Sequence, residues 1–338
     1  MKILFDHRTP VFLAHGGFGL RTQQTRKALI DIGVDVEFVR WWDDNQTGDL
    51  IHFFGKPSIN YIYYAHLKGI KIVSNELHSG LGSRPRWKHI LQGAVIGATK
   101  KLYPPAATRM GWTTYEHVDA MIAQTQFEAD LMCQVFHAPR ETMHVIPGGV
   151  NDEFFAARRD PSKREDWLIS TVSITTRKRP AELAEAAGIA KVPIRFCGRP
   201  YSEKDEYFKR FMRAVEKYSA YVKYEGDFSD RAALAEMYGR ARGFVLPSTQ
   251  ETLSLSSLEA AAAGCPLWLT NLPWATTTFG DKATYCPDTG NPEILAESLR
   301  KFYDNIDKAP RDFPVLSWKG VAERLRDLYA ELLNKPTQ

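Results

Sequence analysis

The chain has 338 residues, 44% of them hydrophobic and 25% charged, with 44 basic against 40 acidic side chains. At roughly 150 residues per domain this length suggests about two domains with real cores, and the composition excludes a disordered tail. A net charge of +4 is too small for a dedicated nucleic-acid binder, and no apolar run approaches the ~20 residues that span a bilayer.

Taken in chain order, Lys2–Phe5 is a short apolar run that meets Asp6, and it reads as a first buried strand rather than a signal peptide. Gly16-Gly17-Phe18-Gly19 follows at a loop, and Arg21–Ile32 reads as a helix stopped by Gly33. Val34–Val39, Leu50–Phe54, Lys71–Ser74, Ala120–Ala123 and Thr142–Ile146 are the next strands, the last broken by Pro147-Gly148-Gly149. The rhythm restarts at Trp167. Leu168–Ile174, Ile194–Cys197, Tyr221–Glu225, Gly243–Leu246 and Pro266–Thr270 are strands. Ala181–Ala190, Leu258–Ala263, Glu293–Tyr303 and Gly320–Leu333 are helices. Such βα alternation argues for parallel sheets covered on both faces. The polar stretch Asn151–Glu165 marks a junction, giving two α/β domains, residues 1–150 and 151–338. A ligand site is expected where the strands end at their carboxyl termini.

Four cysteines, Cys133, Cys197, Cys265 and Cys286, are scattered without a CxxC pair. They predict neither a disulfide framework nor a zinc site, and a reducing cytoplasm is the natural expectation. All nine histidines lie between His7 and His144, so any catalytic imidazole must come from the first half.

The sharpest chemical signal is the run from Pro247 to Ala260, which follows an apolar strand and opens a helix. Glu251 and Glu259 stand eight residues apart around the small-residue turn Thr252-Leu253-Ser254-Leu255. The free N–H groups and dipole of a helix N-terminus favour phosphate. A carboxylate one turn into the helix can accept hydrogen bonds from sugar hydroxyls. On these residues alone, a capped helix with surface glutamates is an equal reading. The basic turn Arg177-Lys178-Arg179-Pro180 is likewise an ordinary solvated turn or an anion site.

This stretch resembles the Glu-x7-Glu signature of retaining glycosyltransferases with the two-domain GT-B architecture, as in glycosyltransferase family 4. Other segments resemble that family in the same order. His144–Asn151 is similar to its "VIPNGVD" junction, and Val172–Pro180 to its "GRL…RKG" segment. Arg195–Pro200 is similar to its "GxGP" turn, Gly264-Cys265-Pro266 to "GTPV", and Phe313–Trp318 to the "FSW" lead into its terminal helix.

The resemblance implies two Rossmann-like domains facing across a cleft, an N-terminal acceptor side and a C-terminal nucleotide-sugar donor side, with a terminal helix that can cross back to the first domain. It implies that Glu259 binds the donor's ribose and Glu251 the transferred sugar. Backbone N–H groups around Thr252, Leu253, Ser254 and Leu255 would hold the diphosphate, and Lys178 with Arg177 would neutralise it as it leaves. Arg199 in the "GxGP"-like turn joins the donor-binding candidates, as do Gly16 and Gly17 of the glycine loop. One departure is that Ser173 or Ile174 stands where the family carries an arginine, which leaves Arg177 and Arg179 as the candidates for the second cation. Val73–His78 resembles the strand ending in the family's "HD" histidine, making His78 the catalytic histidine, although Ser79 replaces the common aspartate; Glu76 is a runner-up.

The implied reaction moves a hexose from a UDP- or GDP-linked sugar to a hydroxyl of a glycan, a lipid-linked or a small-molecule acceptor. It retains the anomeric configuration and uses neither metal nor cofactor, the nucleotide-sugar being the substrate. Two rivals stay open: a GT-B-fold epimerase of nucleotide-sugars, and a non-catalytic scaffold that binds them. Finally, Leu77–Tyr115 contains no Asp or Glu. Its cations Arg84, Arg86, Lys88, Lys100, Lys101 and Arg109 are interleaved with apolar and aromatic residues. Residues 84-112 are therefore a candidate for peripheral contact with the inner membrane face, against the plainer reading of a packed helix with a basic edge.

Overall fold

The computed structural model describes residues 1–7, 17–76, 80–82 and 84–334. Gly16 and His78 lie outside the described residues. The chain forms two compact units, Met1–Gly149 with Leu316–Gln338, and Val150–Val315.

The first unit is built on β1 (Lys2–His7), β2 (Asp35–Phe38), β3 (Leu50–Phe54), β4 (Lys71–Ser74), β5 (Ala120–Ala123) and β6 (Met143–Val145). They form one sheet in the order β2-β1-β3-β4-β5-β6, with every pair parallel. The connecting helices are α1 (Gly17–Asp31), α2 (Ile59–Leu67), α3 (Arg86–Leu102), α4 (Pro104–Arg109) and α5 (Gln126–Phe136). Strand side chains alternate between the two faces. Leu4, Ile51, Phe53, Ile72 and Met121 pack with Ile62 and Ala65 of α2, Ile96 of α3 and Val135 of α5, while His52 and Phe54 point to the opposite face.

The second unit opens with α6 (Asp152–Ala156) and continues through β7 (Glu165–Thr171), α7 (Pro180–Ala190), β8 (Ile194–Cys197), α8 (Glu206–Lys217), β9 (Val222–Gly226), α9 (Arg231–Arg240), β10 (Ala241–Leu246), α10 (Leu255–Ala262), β11 (Leu267–Thr270), α11 (Pro273–Phe279), β12 (Thr284–Cys286) and α12 (Pro292–Asn305). Its sheet order is β12-β11-β10-β7-β8-β9, again parallel throughout. Counted within the unit, this is the doubly wound order 3-2-1-4-5-6. The two parallel sheets with alternating helices are the expected pair of Rossmann-like domains. The edge strand β12 was not anticipated, because three residues of which only Cys286 is buried carry no periodic signal.

After this unit the chain returns to the first one through α13 (Trp318–Leu333). The sequence reading grouped residues 316–338 with the donor-side half; the compact units divide differently. Trp318, Val321, Ala322, Leu325, Leu328, Tyr329 and Leu332 form a buried stripe at helical spacing, and that stripe packs against α1. Tyr329 and the imidazole Nδ1 of His52 share a hydrogen bond of 2.6 Å. His52 stacks on Phe54 with ring centroids 4.3 Å apart, and burial drives its pKa down to about 3, so the ring is neutral and adds no buried charge.

At the start of α13 a side chain on Gly149 would meet backbone: a Cβ there would lie 2.7 Å from the Trp318 Cα and 2.8 Å from its N. Backbone atoms at that range cannot rotate away. Gly149→Ala is therefore expected to destabilise the first unit by about 1–3 kcal/mol, the usual cost of forcing a methyl into a packed contact. Urea unfolding of the variant checks this, and an unchanged midpoint would contradict the close approach.

Candidate active site in the second unit

The chemistry-bearing residues of the second unit gather where its strand order reverses. From β7 the chain winds outward through β8 and β9, then returns to place β10 on the other side of β7. Loops leaving two such neighbours run in opposite directions and open a crevice at their carboxyl ends. Leu168 pairs with Gly243 and Ile169 with Phe244, so β7 and β10 end level and residues 172–179 and 247–254 emerge side by side.

These two loops are tied together by backbone. The Thr249 N–H donates to the Arg177 carbonyl at 2.8 Å, and the Arg177 guanidinium donates to the Gln250 carbonyl at 2.6 Å. Arg179 makes the turn possible by taking a left-handed conformation, φ 53°, immediately before Pro180 opens α7. Gly198, at the end of β8, is required for a different reason. Its φ is +133° and a Cβ would sit 1.9 Å from the Val172 carbonyl oxygen, so only glycine lets the loop after β7 pass this close.

Glu251 lies at the centre of the junction and is buried. Its Oε1 accepts from the Lys178 ammonium and from the Ser248 hydroxyl at 2.7 Å, and its Oε2 lies 3.3 Å from the Arg177 guanidinium. Of the two arginines able to serve as second cation, the structure brings Arg177 to Glu251. Arg179 instead pairs with Asp288 at 2.7 Å. With two lone pairs per oxygen, Oε1 is filled while Oε2 keeps room for one more donor.

The turn after Glu251 leads directly into α10. Ser254 caps this helix by accepting from the Ser257 N–H at 3.3 Å, and it touches the Ser256 hydroxyl at 3.0 Å. The N–H groups of Leu255 and Ser256, in the first turn, have no acceptor within the helix, as at any helix start. The Thr252 hydroxyl is buried without a hydrogen-bond partner, a costly state for a polar group unless something else binds there. Leu253 and Leu255 pack their side chains on the core, which holds the turn in place.

Glu259, one turn along, is also buried. Its Oε1 accepts from the Arg231 guanidinium, and the Tyr238 hydroxyl reaches Oε2 at 3.4 Å. Arg231 lies at the start of α9 and stacks over the Phe154 ring of α6 at 4.8 Å. Neither Arg231 nor Tyr238 was singled out by the motifs, being 28 and 21 residues from Glu259 in sequence; a buried carboxylate demanding a cation is the only signal that could have raised them. Arg199 stands apart from these groups. Its side chain is 66% exposed and faces Asp227 at 3.6 Å, while its carbonyl accepts from the Ile174 N–H at 3.0 Å. Gly17 opens α1 in the first unit. Glu76, also there, accepts from the Tyr115 hydroxyl at 2.6 Å.

The two glutamates are held in opposite electrostatic states. Burial pushes the Glu251 carboxyl up, but the Lys178 and Arg177 charges outweigh it and hold its pKa below the ordinary carboxylate value. Burial dominates at Glu259 and holds its pKa above that value, with Arg231 opposing. By linkage, Glu251 contributes stability above the ordinary carboxylate pKa and loses it as pH falls through its lowered folded value. Glu259 does the reverse: its ionisation costs the folded state, and stability is regained as pH falls below its raised value. Carboxyl-carbon NMR titration of the ligand-free protein should therefore find Glu251 below and Glu259 above the ordinary midpoint. Arg231→Met should raise the Glu259 midpoint further and leave Glu251 unmoved; a common midpoint for both glutamates would refute the assignment.

Comparison with known proteins identifies the family and the fold. Residues 151–313 match the family model "Glycosyl transferases group 1", and residues 13–154 match "Glycosyltransferase Family 4". A D-inositol 3-phosphate glycosyltransferase from Thermobispora bispora is 26% identical over 251 residues, 64% of this chain and 57% of that protein. A second, from Streptomyces avermitilis, is 25% identical over 62% of this chain and 51% of its own length. The chain thus spans about half the length of the curated relatives it matches. Among solved structures, sucrose-phosphate synthase from Thermosynechococcus elongatus superimposes with a TM-score of 0.70 at 17% identity, covering 98% of this chain and 99% of that one. Anabaena HepE in complex with UDP gives 0.64 at 14% identity, covering 98% and 96%. The two family models together run from residue 13 to residue 313, and the chain belongs to the GT4-like glycosyltransferases of the GT-B fold.

Proposed function

We propose that this protein transfers a hexose from a UDP- or GDP-linked sugar to an acceptor hydroxyl, with retention of configuration and without a metal ion or cofactor. The observation that carries the reading is the junction of Lys178, Arg177 and Glu251 at the start of α10, at the switch point of a doubly wound sheet. In this reading the Lys178 and Arg177 cations and the first-turn N–H groups of α10 receive the diphosphate. Their positive charge does the work that a divalent cation does elsewhere. The Thr252 hydroxyl completes that cradle. Glu259 has one lone pair left on each oxygen after Arg231 and Tyr238 are counted, which suits two vicinal ribose hydroxyls. The open position on Glu251 Oε2 suits one hydroxyl of the transferred sugar.

Catalysis then follows from where charge grows. As the bond from the anomeric carbon to the phosphate oxygen breaks, negative charge accumulates on the diphosphate, and cations already fixed beside it stabilise the transition state more than the ground state. The acceptor oxygen attacks from the face the diphosphate is leaving, and the departing phosphate oxygen takes the acceptor's proton. This gives retention without an enzymatic nucleophile. On the acceptor side the motifs assign His78 to the sugar and the Gly16-Gly17 loop to the donor phosphates. HepE, solved with UDP and with UDP-glucose, and the D-inositol 3-phosphate glycosyltransferases support a nucleotide-sugar donor and a hydroxyl acceptor.

A thermal-shift screen with UDP-, GDP- and ADP-sugars identifies the donor, because a ligand of the folded state raises apparent stability. Glu259→Gln should weaken nucleoside-diphosphate binding about 10- to 100-fold, the loss expected for a hydrogen bond to a charged group. Lys178→Ala should lower kcat by about 10²–10³, and Glu251→Gln should reduce turnover with little change in nucleotide affinity. Product NMR should show the donor's anomeric configuration, and EDTA should leave the rate unchanged. No stabilisation by any nucleotide-sugar would sink the reading; an inverted product or EDTA inactivation reversed by Mg²⁺ would sink the mechanism.

A further inference from the structure

The helix α3 is apolar on two sides, and only one of them is used by the fold. Its inner side is occupied. His89, Gly93 and Ile96 are buried, and Ile96 sits in the core with Met121 and Val135. The His137 ring bonds the Gly93 carbonyl at 2.9 Å. Gly93 lets α5 approach so closely that a Cβ there would lie 2.6 Å from the Gln134 carbonyl oxygen. The register of the helix is therefore fixed, and its outer side is not a core face awaiting a small rotation.

That outer side carries Trp87, Leu91, Val95 and Leu102, flanked by Ile90, and all five are more than half exposed. Positions 87, 91, 95, 98 and 102 follow one another at helical spacing, with Ala98 also exposed. A helix packed on a water-facing sheet normally turns polar residues outward, and a continuous exposed apolar stripe marks a contact surface. The stripe runs along a helix of 17 residues, about 25 Å at 1.5 Å per residue. Aromatic residues stand at both ends, Trp87 at the start and Tyr103, 69% exposed, just past the finish.

The charge around the stripe selects what covers it. Arg84, Arg86, Lys88, Lys101 and Arg109 are exposed around it, and no acid occurs anywhere from residue 77 to residue 115. The Lys88 ammonium lies over the Trp87 ring at 5.5 Å. Lys100 belongs to the other side, bonded to Glu116 and the Phe136 carbonyl. A second copy of the chain is disfavoured, since a self-complementary pairing would bring the same cations against each other. An anionic bilayer meets every feature: acyl chains take the apolar stripe, headgroups take the cations, and Trp and Tyr favour the boundary between them.

We infer that α3 is an interfacial helix that seats the first unit on an anionic membrane surface through Trp87, Leu91, Val95 and Leu102. This goes beyond the donor reading, and it places the protein where a lipid-linked acceptor would be found. The test is co-sedimentation of the full chain with vesicles of phosphatidylcholine alone or mixed with phosphatidylglycerol, at low and high salt. Binding should require the anionic lipid and weaken with salt. Arg86→Gln, Lys88→Gln and Lys101→Gln together should lower affinity by about fivefold per cation removed, and Trp87→Ser, Leu91→Ser and Val95→Ser together should lower it more than tenfold. Nucleotide binding, to which none of the substituted α3 residues is assigned, should be unchanged in both variants, so failure here is distinguishable from failure of the donor reading. Absence of binding at low salt, equal binding to phosphatidylcholine alone, or unchanged binding in both variants overturns the inference. So does a lipid-free dimer that the serine variant abolishes, which would make the stripe a self-association surface.

Discussion

The candidate site depends on one constraint: a carboxylate buried between two loops must be given its cations by the loop it does not belong to. Glu251 follows β10, and Lys178 and Arg177 follow β7. Removing one member of a buried pair leaves an uncompensated charge, a loss of about 3–5 kcal/mol, so the two loops stabilise each other or neither holds its shape. The backbone contact from Thr249 to Arg177 and the close pass at Gly198 serve the same end. What results is a preorganised cluster of charge at the switch point of a doubly wound sheet.

The second carboxylate shows how environment separates two chemically identical groups. Glu251 has two cations and a hydroxyl; Glu259 has one guanidinium and a distant phenol. Both are buried to a similar degree, so the number of opposing charges decides the direction in which each pKa moves. Each also keeps unfilled acceptor positions on its carboxylate oxygens.

In the first unit, helices with two apolar sides do two kinds of work. The returning helix α13 buries its stripe, packing on α1 and anchoring Tyr329 on the neutral His52 of β3. By contrast, α3 spends a narrow inner side on the core, where Gly93 allows near-contact of backbones, and leaves a broader apolar side exposed. A small residue on the inner side thus lets α3 pack closely while its larger apolar side chains stay exposed.

The sequence by itself determined the parallel α/β class, since the strands at Leu50–Phe54, Lys71–Ser74, Ala120–Ala123 and Ile194–Cys197 are short, largely apolar runs alternating with helical segments, a pattern that is local. It also brought out Glu251 and Glu259, whose spacing of eight residues is local, while Lys178 was raised by the family resemblance of its own segment. Only the tertiary structure decided that Arg177 and not Arg179 faces Glu251. Adjacent guanidiniums have the same sequence signal, and a left-handed backbone at position 179 turns one of them away. It alone supplied Arg231 and Tyr238, which reach Glu259 through the packing of α9 on α10 rather than through any spacing along the chain. It also assigned α13 to the first unit, which the family resemblance had allowed but the amphipathic stripe could not, since a stripe states that a face must be buried and leaves open against what. A periodic pattern encodes which side of an element avoids water; which element meets it is fixed by the order of the strands, and that order exists only once the chain has folded.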